Sequence, residues 1–400
     1  MRRLFIAFSV LSALVVAKPS ALPLARAQVG VTDDSKDVIY TFGGQMIFTL
    51  VAHSGSDITS AILLVRIGDA DRTDVIEAPI TPAPRIETKY TRDLQAEPIP
   101  PFAPVHYSWR LADADGHTLV TDELIQIYED NRFNWQSVGR GPINTHWYNG
   151  DLAFGQAAAD IGYKALNQVS RFIAAPPPSE INIYVYANIA DLQSGLRLGG
   201  REWVAGHADP ALGVVLVTAA PGPEAVIDLE RDLPHELTHV MVYQVAGPGY
   251  DKMPRWLDEG LAVNNELQPR SDLTIALDKA AKADQLLTLR VLCAPFAIES
   301  DKAILSYAQS KSVVRYILDR WGPGQMNELL LAYRDGASCE GGVQRVLNVS
   351  LAELQADWQN DVLEASPLTK FLRDTIPALA VFGLPAIVIA ALIFAPRRKR

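Results

Sequence analysis

Cysteine is scarce in this chain of 400 residues, which contains only Cys293 and Cys339. They do not form a C-x-x-C motif, which argues against the redox chemistry of that motif. The sequence contains neither a P-loop nor the G-x-S-x-G motif. Their absence argues against a P-loop nucleotide-binding protein and against a serine hydrolase. The formal net charge of -10 argues against nucleic acid as a partner. No internal repeat or low-complexity tract is found.

Histidine is also scarce, yet two of the seven histidines lie four residues apart in His235-Glu236-Leu237-Thr238-His239. On an α-helix, residues i and i+4 share one face, so both imidazoles can reach a single cation. Glu236 lies beside them and can hold a water that the metal has made acidic. This spacing indicates a zinc hydrolase, and a chance match is on the order of 1%.

A second segment follows at Pro254-Arg255-Trp256-Leu257-Asp258-Glu259-Gly260, where Pro254 suits the first turn of a helix. Glu259 would project toward the first helix, and two His with one Glu leave a fourth position open for water. Together, H-E-x-x-H and W-L-x-E-G resemble the gluzincin metallopeptidases, especially the aminopeptidase N-type branch and the peptidase MA-like domains. The alternative is two unrelated surface histidines and a Glu in a neighbouring helix.

The resemblance implies a role for each site residue. His235 and His239 would bind Zn2+ as neutral imidazoles, with Glu259 as the third ligand. Glu236 would be the general base, taking a proton from water and passing it to the leaving amine. Tyr307 would stabilise the oxyanion, as a Tyr downstream of the Glu ligand does in the aminopeptidase N-type family. The alternative for Tyr307 is simple packing at a helix start.

Two departures from the family pattern matter. The G-x-M-E-N segment that grips a substrate's amino end is missing, which makes amino-terminal trimming doubtful. Thermolysin-like enzymes place an Asp four residues after the Glu ligand, where this chain has Val263. Asp258 and Asn264 are the candidates for orienting a ligand instead. His207 and Asp209 are interpreted as part of a turn between strands.

Both ends of the chain predict export and anchoring. Residues 1–27 have the basic start, short apolar run and Ala25-Arg26-Ala27 cleavage site of a signal peptide. Residues 376–395 carry no charge, are long enough to span a bilayer, and precede a basic tail at 396–400. The catalytic part would therefore lie outside the cytoplasm. An uncleaved anchor and a buried core helix are the alternatives.

The region between these ends divides into two domains, giving an α+β fold class. Residues 28–132 contain about seven short runs of β-branched and aromatic residues, which predicts an immunoglobulin-like β-sandwich. It could serve as a spacer, a substrate-presenting module or a partner-binding module. Residues 133–368 predict a gluzincin-like catalytic domain with a small sheet and a helical lobe. The helix of the H-E-x-x-H motif should start near Asp232 or bend at Pro234.

These features predict a membrane-anchored, extracytoplasmic zinc metallopeptidase that hydrolyses a peptide or protein substrate. One alternative is a zinc-bound but inactive receptor or adhesion module that uses the β-sandwich. Another is a structural domain without metal. In an exported chain we also expect Cys293 and Cys339 to form a disulfide, although two separate thiols are an alternative.

Overall fold

The computed structural model describes residues 30–68, 72–198, 207–297 and 300–363 of the chain. It is an α+β fold in which a seven-stranded sheet precedes a five-stranded sheet with helices. The strands are β1 (Thr32–Tyr40), β2 (Gln45–Ile67), β3 (Asp74–Glu77), β4 (Ala83–Asp93), β5 (Pro104–Asp113), β6 (Thr118–Val120), β7 (Leu124–Ile127), β8 (Gln136–Arg140), β9 (Ile143–Trp147), β10 (Ile181–Tyr186), β11 (His207–Asp209) and β12 (Val214–Thr218). The α-helices are α1 (Leu152–Val169), α2 (Ile189–Leu198), α3 (Ala225–Ala246), α4 (Arg255–Asn265), α5 (Ser271–Lys282), α6 (Ser300–Arg334), α7 (Cys339–Leu347) and α8 (Leu351–Trp358).

The amino-terminal domain is organised around β2, which is 23 residues long. The first half of β2 pairs with β1 and β4, and the second half pairs with β5 and β3. Every pairing in this sheet is antiparallel, and alternate residues of β2 are buried, as expected for strands with one face on a core. The core of this sheet includes Phe48, Leu50 and Leu63 of β2 and Trp109 of β5, all with no exposed surface.

The prediction of an immunoglobulin-like sandwich was wrong, because all seven strands belong to one hydrogen-bonded sheet. In the sequence, the polar residues 53–57 look like a loop that separates two strands. In the structure β2 continues through them, with shifts of register on both sides. Ser54 is buried there and donates a hydrogen bond to Asp113 at 2.6 Å, so this polar side chain is satisfied inside the sheet.

The predicted transmembrane helix is not among the helices that the structure describes. Residues 376–395 lie outside the described residues, as do the predicted signal peptide (1–27) and basic tail (396–400). Among the helices of the described ranges, none combines the length and apolar character needed to cross a bilayer.

The second sheet supports the helical part of the molecule. Its order is β11-β12-β10-β9-β8, with β9, β10 and β12 parallel and the two outer strands antiparallel to their neighbours. One face, including Ile183 and Val185, packs in a core with α1 and α3. The other face carries Tyr184 and Tyr186, which pack with α2 and with Phe102 of the first domain. Phe102 and Tyr184 stack with ring centroids 3.5 Å apart, so the two domains share an aromatic core.

Helix α3 begins at Ala225, seven residues before the predicted start near Asp232, and contains Pro234 in its interior. A proline has no N–H, so the carbonyl of Glu230 four residues earlier loses its helical partner. The backbone N–H of Leu267, which follows α4, donates to this carbonyl at 2.9 Å. The helix therefore continues through Pro234 because a donor from outside the helix replaces the missing one.

Helix α4 packs against α3 and α6. Gly260 of α4 has no space for a side chain, because a Cβ there would lie 2.6 Å from the carbonyl oxygen of Ser310 on α6. Helix α6 is broken at Gly322, whose backbone is not helical. Cys293 and Cys339 form a disulfide, as predicted, which connects the segment before α6 to the start of α7.

Candidate metal centre and active site

Helix α3 presents His235 and His239 on one face, with Glu236 next to the first of them. The imidazole centroids are 5.1 Å apart. Leu233, Leu237 and Val240 are fully buried in the core behind this face, which fixes the rotation of the helix about its axis. The helical spacing predicted from the sequence therefore brings both imidazoles to one place.

Glu259 comes to the same place from α4. Its Oε2 atom lies 3.3 Å from Nε2 of His235 and 3.8 Å from Nε2 of His239. One ligand atom from each of these three residues lies within 4.8 Å of the others, and no other such cluster of three occurs in the ranges that the structure describes. The structure thus brings together the three residues predicted to be ligands.

The three donors fit a zinc ion. Ligands at about 2.0–2.2 Å in tetrahedral geometry are separated by about 3.3 Å, which is close to the observed distances. Glu259 Oε2 is buried and accepts no hydrogen bond of normal geometry from the described residues. A buried carboxylate oxygen without a partner is costly, and a bound cation would remove that cost.

Carboxylates orient both imidazoles from behind. Nδ1 of His239 lies 2.9 Å from Asp258, and Nδ1 of His235 lies 3.1 Å from Glu266. These contacts fix the ring orientation and leave each Nε2 for the shared site, which is the usual support for a metal-binding imidazole. Asn264, the other candidate from the sequence, instead donates to the carbonyl oxygens of Gly260 and Lys311.

Glu266 is not among the site residues predicted from the sequence, although its spacing provides a signal. Glu266 follows Glu259 by seven residues, which is two helical turns, so both carboxylates lie on the same side of α4. Its side chain is 2% exposed and also forms an ion pair with Arg270 at 3.3 Å. On the other imidazole, Asp258 receives further hydrogen bonds from Tyr250 and Arg255.

The charge state of each carboxylate in the site follows from its surroundings. Burial raises the pKa of Glu236 above its ordinary value, although the two imidazoles act in the opposite direction. Burial also acts to raise the pKa of Glu259, but His235, His239 and Arg255 together lower it to about 2. Glu259 is therefore an ionised carboxylate suited to a metal, whereas Glu236 has the raised pKa that suits a base.

A cavity of about 1140 Å³ opens above these residues. Glu236 lines it together with the edge strand β11, the segment 295–297 and Tyr307 of α6. His207 and Asp209 are therefore strand residues at the cavity wall, not the turn that we predicted, and neither belongs to the metal-ligand cluster. A cavity of this size can accept a peptide segment next to the three ligands.

Tyr307 faces the cavity with its ring 6.3 Å from that of His235. It also contacts Phe296 edge to face, with centroids 5.2 Å apart. Burial raises the pKa of Tyr307 well above 10, so the hydroxyl stays protonated and can donate. The structure thus brings Tyr307 to the site where the sequence predicted it.

Phe296 lines the cavity three residues after Cys293 of the disulfide. Cys293 ends a short 3-10 turn, and Cys339 accepts a contact from the indole N–H of the buried Trp256 at 3.4 Å. Trp256 lies on α4, one turn before Glu259. The disulfide thus contacts the ligand helix through Trp256, and the cavity-lining segment 295–297 follows Cys293 closely along the chain.

Several solved structures are similar to the chain. An M1 zinc metallopeptidase from Deinococcus radiodurans is 13% identical, and the match covers 83% of this chain and 94% of that one with a TM-score of 0.37. An aminopeptidase N family protein from Idiomarina loihiensis is 8% identical, with 81% of this chain and 75% of that one covered and a TM-score of 0.40. No curated protein matches the chain at a significant level.

A family model provides the assignment. The model described as the Peptidase MA superfamily matches residues 162–364, which is about half of the chain. The matched region contains the H-E-x-x-H helix, the W-L-x-E-G helix and Tyr307. The resemblance inferred from the two motifs is confirmed, and the chain belongs to the Peptidase MA superfamily.

Proposed function

We propose that this protein is a zinc-dependent peptidase. The observation that carries the proposal is the convergence of His235, His239 and Glu259 on one point beside Glu236, at the floor of a cavity. Three ligands with an open fourth position are typical of catalytic zinc sites, whereas structural sites are closed by four protein ligands. When bound, zinc would polarise the scissile carbonyl and increase the acidity of water.

Glu236 is the general base in this proposal. Its carboxylate takes a proton from the attacking water and delivers that proton to the nitrogen of the leaving amine. Its burial supports this role, because a raised pKa brings the carboxylate closer to the pH at which it must both accept and release a proton. Tyr307 supplies a neutral hydroxyl that donates to the oxygen of the scissile carbonyl as charge develops there.

The substrate we propose is a peptide in an extended conformation. Strand β11 is the edge of the second sheet in the described residues and lines the cavity beside α3. An edge strand can pair with an extended peptide through main-chain hydrogen bonds. The absence of a G-x-M-E-N segment from the sequence still argues against amino-terminal trimming.

We further propose that the protein acts outside the cytoplasm. The disulfide between Cys293 and Cys339 supports this compartment, because such bonds persist in oxidising environments and are rare in the cytosol.

Two substitutions test the division of roles between the carboxylates. Glu236→Gln keeps the size and hydrogen bonding of the side chain but cannot take a proton, so peptide turnover should fall by at least ~100-fold while zinc is retained. Glu259→Ala should lose both zinc and turnover. The measurements are metal content and digestion of a peptide library, with and without a chelator. A Glu236→Gln variant that cleaves at the wild-type rate would contradict the mechanism. Zinc-loaded wild-type protein that cleaves nothing would favour the inactive receptor or adhesion module.

A further inference from the structure

Arg255 lies against the metal-ligand carboxylate on the side away from the imidazoles. It is the first residue of α4, one turn before Glu259. Its Nε lies 3.3 Å from Oε1 of Glu259, and its Nη1 lies 3.2 Å from Oδ2 of Asp258. Oε2 of Glu259 is the oxygen that faces the imidazoles, so the two oxygens of this carboxylate divide between the metal site and Arg255.

These two contacts use only Nε and Nη1 of the guanidinium group. Arg255 has five N–H bonds in a planar fork, and Nη2 makes no hydrogen bond within the part of the chain that the structure describes. The side chain is 43% exposed and lines the cavity. A lysine would form the same helical ion pair at i+4, so a role limited to holding Glu259 would not require an arginine.

Tyr250 and Tyr307 also line the cavity. Tyr250 uses its only O–H on Asp258, at 3.0 Å. The hydroxyl of Tyr307 makes no hydrogen bond to any residue of the described ranges, so it remains available as a donor. Arg255 also lowers the pKa of Tyr307, against the larger effect of burial, which supports their closeness. Two donors of different shape, a planar fork and a phenol, therefore lie beside the metal site.

We infer that Arg255 is a catalytic residue whose guanidinium donates hydrogen bonds to an anionic oxygen of the bound peptide. The inference rests on the proposed peptidase function. As the water oxygen bonds to the carbonyl carbon, the carbonyl π electrons move to the carbonyl oxygen, and the guanidinium binds that charge without giving up a proton. A terminal carboxylate of the substrate presents the same chemistry, so the experiment must distinguish these two sources.

The experiment compares Arg255→Lys and Arg255→Gln with wild-type zinc-loaded protein. Arg315→Lys is the matched control, because Arg315 forms an i,i+4 pair with Asp319 on an exposed face of α6. One substrate sequence is supplied with a free or an amidated carboxyl end. A phosphinic peptide of the same sequence, which carries a charged tetrahedral group, serves as a binding probe. The measurements are zinc content, kcat, KM and the Kd of the phosphinic peptide.

If the carbonyl oxygen is the ligand, Arg255→Gln should lower kcat by about 100-fold on both substrates with little change in KM. The phosphinic peptide should bind to Arg255→Gln about 10-fold to 100-fold more weakly than to wild-type protein, with zinc content unchanged. The values for Arg255→Lys should lie between those of wild-type protein and Arg255→Gln. If the terminal carboxylate is the ligand, only KM for the free-acid peptide should rise. Either result supports binding of an anionic oxygen by Arg255.

Other results would overturn the inference. Loss of zinc in parallel with turnover would show that Arg255 only positions Glu259. Wild-type kinetics and wild-type affinity for the phosphinic peptide in both variants would show that the guanidinium does not touch the substrate. Failure of the wild-type protein to cleave peptides would count against the proposed function, whereas affinity for the phosphinic peptide still tests Arg255. If the wild-type protein did not bind that probe, the inference would be wrong.

Discussion

Each half of this molecule contains a buried aspartate paired with a histidine, and the two pairs differ in what surrounds them. In the first sheet, Asp113 accepts hydrogen bonds from Ser54, from the ring of His117 at 2.9 Å and from backbone N–H groups of the β5–β6 hairpin. In the second half, Asp258 binds His239 at the same distance. The pair alone therefore does not identify a functional site.

The difference lies in the atoms that remain without partners. Both oxygens of Asp113 are satisfied by the hairpin and by Ser54 of β2, which makes the pair a structural element of the sheet. At the second site, Glu259 Oε2 is buried without a hydrogen bond and lies beside the imidazole nitrogens that face a cavity. A site for a ligand is recognised by polar groups that converge and are left unsatisfied.

The sharpest test of this comparison removes one imidazole from each half. His239→Ala should abolish zinc binding and turnover together, because it deletes one of three ligands. His117→Ala should leave zinc content and turnover unchanged. Metal analysis and peptide digestion of the two purified variants provide the measurement. Equal loss of zinc in both would remove the distinction between a structural and a ligand-binding pair.

The second prediction concerns the disulfide, which is found only in the helical half of the described chain. Replacing Cys293 and Cys339 by Ser opens a loop closed by residues 46 apart in sequence, which the chain-entropy model values at about 4 kcal/mol. Thermal unfolding should show a lower Tm for the helical part. Because Phe296 and Trp256 adjoin this bond, turnover should also decrease, and unchanged Tm and turnover would argue that the bond is dispensable.

The third prediction extends the comparison to the aspartates. Asp258→Asn should weaken zinc affinity by about 10-fold to 100-fold, since outer carboxylates orient metal-binding imidazoles. Asp113→Asn provides the matched control and should keep the wild-type affinity. Competition with a chromophoric chelator measures both constants. An unchanged affinity in Asp258→Asn would mean that the negative charge of Asp258 is not needed to orient His239.

The smallest expected effect is the pH dependence of the stability that Asp113 contributes to the first sheet. Hydrogen bonds from Ser54 and His117 hold the pKa of Asp113 well below 3.8. A carboxyl whose pKa is depressed by folding stabilises the fold above its unfolded pKa, and that contribution is lost as the pH falls through the folded pKa. The Tm of wild-type protein should therefore exceed that of Asp113→Asn at pH 7 by a few °C, and the gap should shrink on acidification. A gap independent of pH would reject this account.

Much of the catalytic half could be predicted from the sequence, because its signals are local. The strands Ile181–Tyr186 and Val214–Thr218 are visible in the sequence, since each is a short run rich in β-branched and aromatic residues beside turn residues. The convergence of His235, His239 and Glu259 followed from helical spacing and a family motif. These patterns depend on residues that are close together along the chain.

What the sequence did not show depends on contacts between distant segments. The single sheet of the first domain needs Ser54 to be satisfied by Asp113, which lies 59 residues away. The start of α3 was misplaced because the donor that replaces Pro234 comes from Leu267. Glu266 was missed because its role depends on the packing of α4 against α3.

The proline inside α3 reverses a common rule of protein engineering. Replacing an interior proline by alanine normally improves a helix by about 3 kcal/mol, and a thermostabilisation programme would choose position 234 early. Here the alanine N–H would compete with Leu267 for one carbonyl of Glu230, and Leu267 is next to the carboxylate that orients His235. A more stable helix would then be obtained at the expense of metal affinity, so screening on melting temperature alone would select the wrong variant.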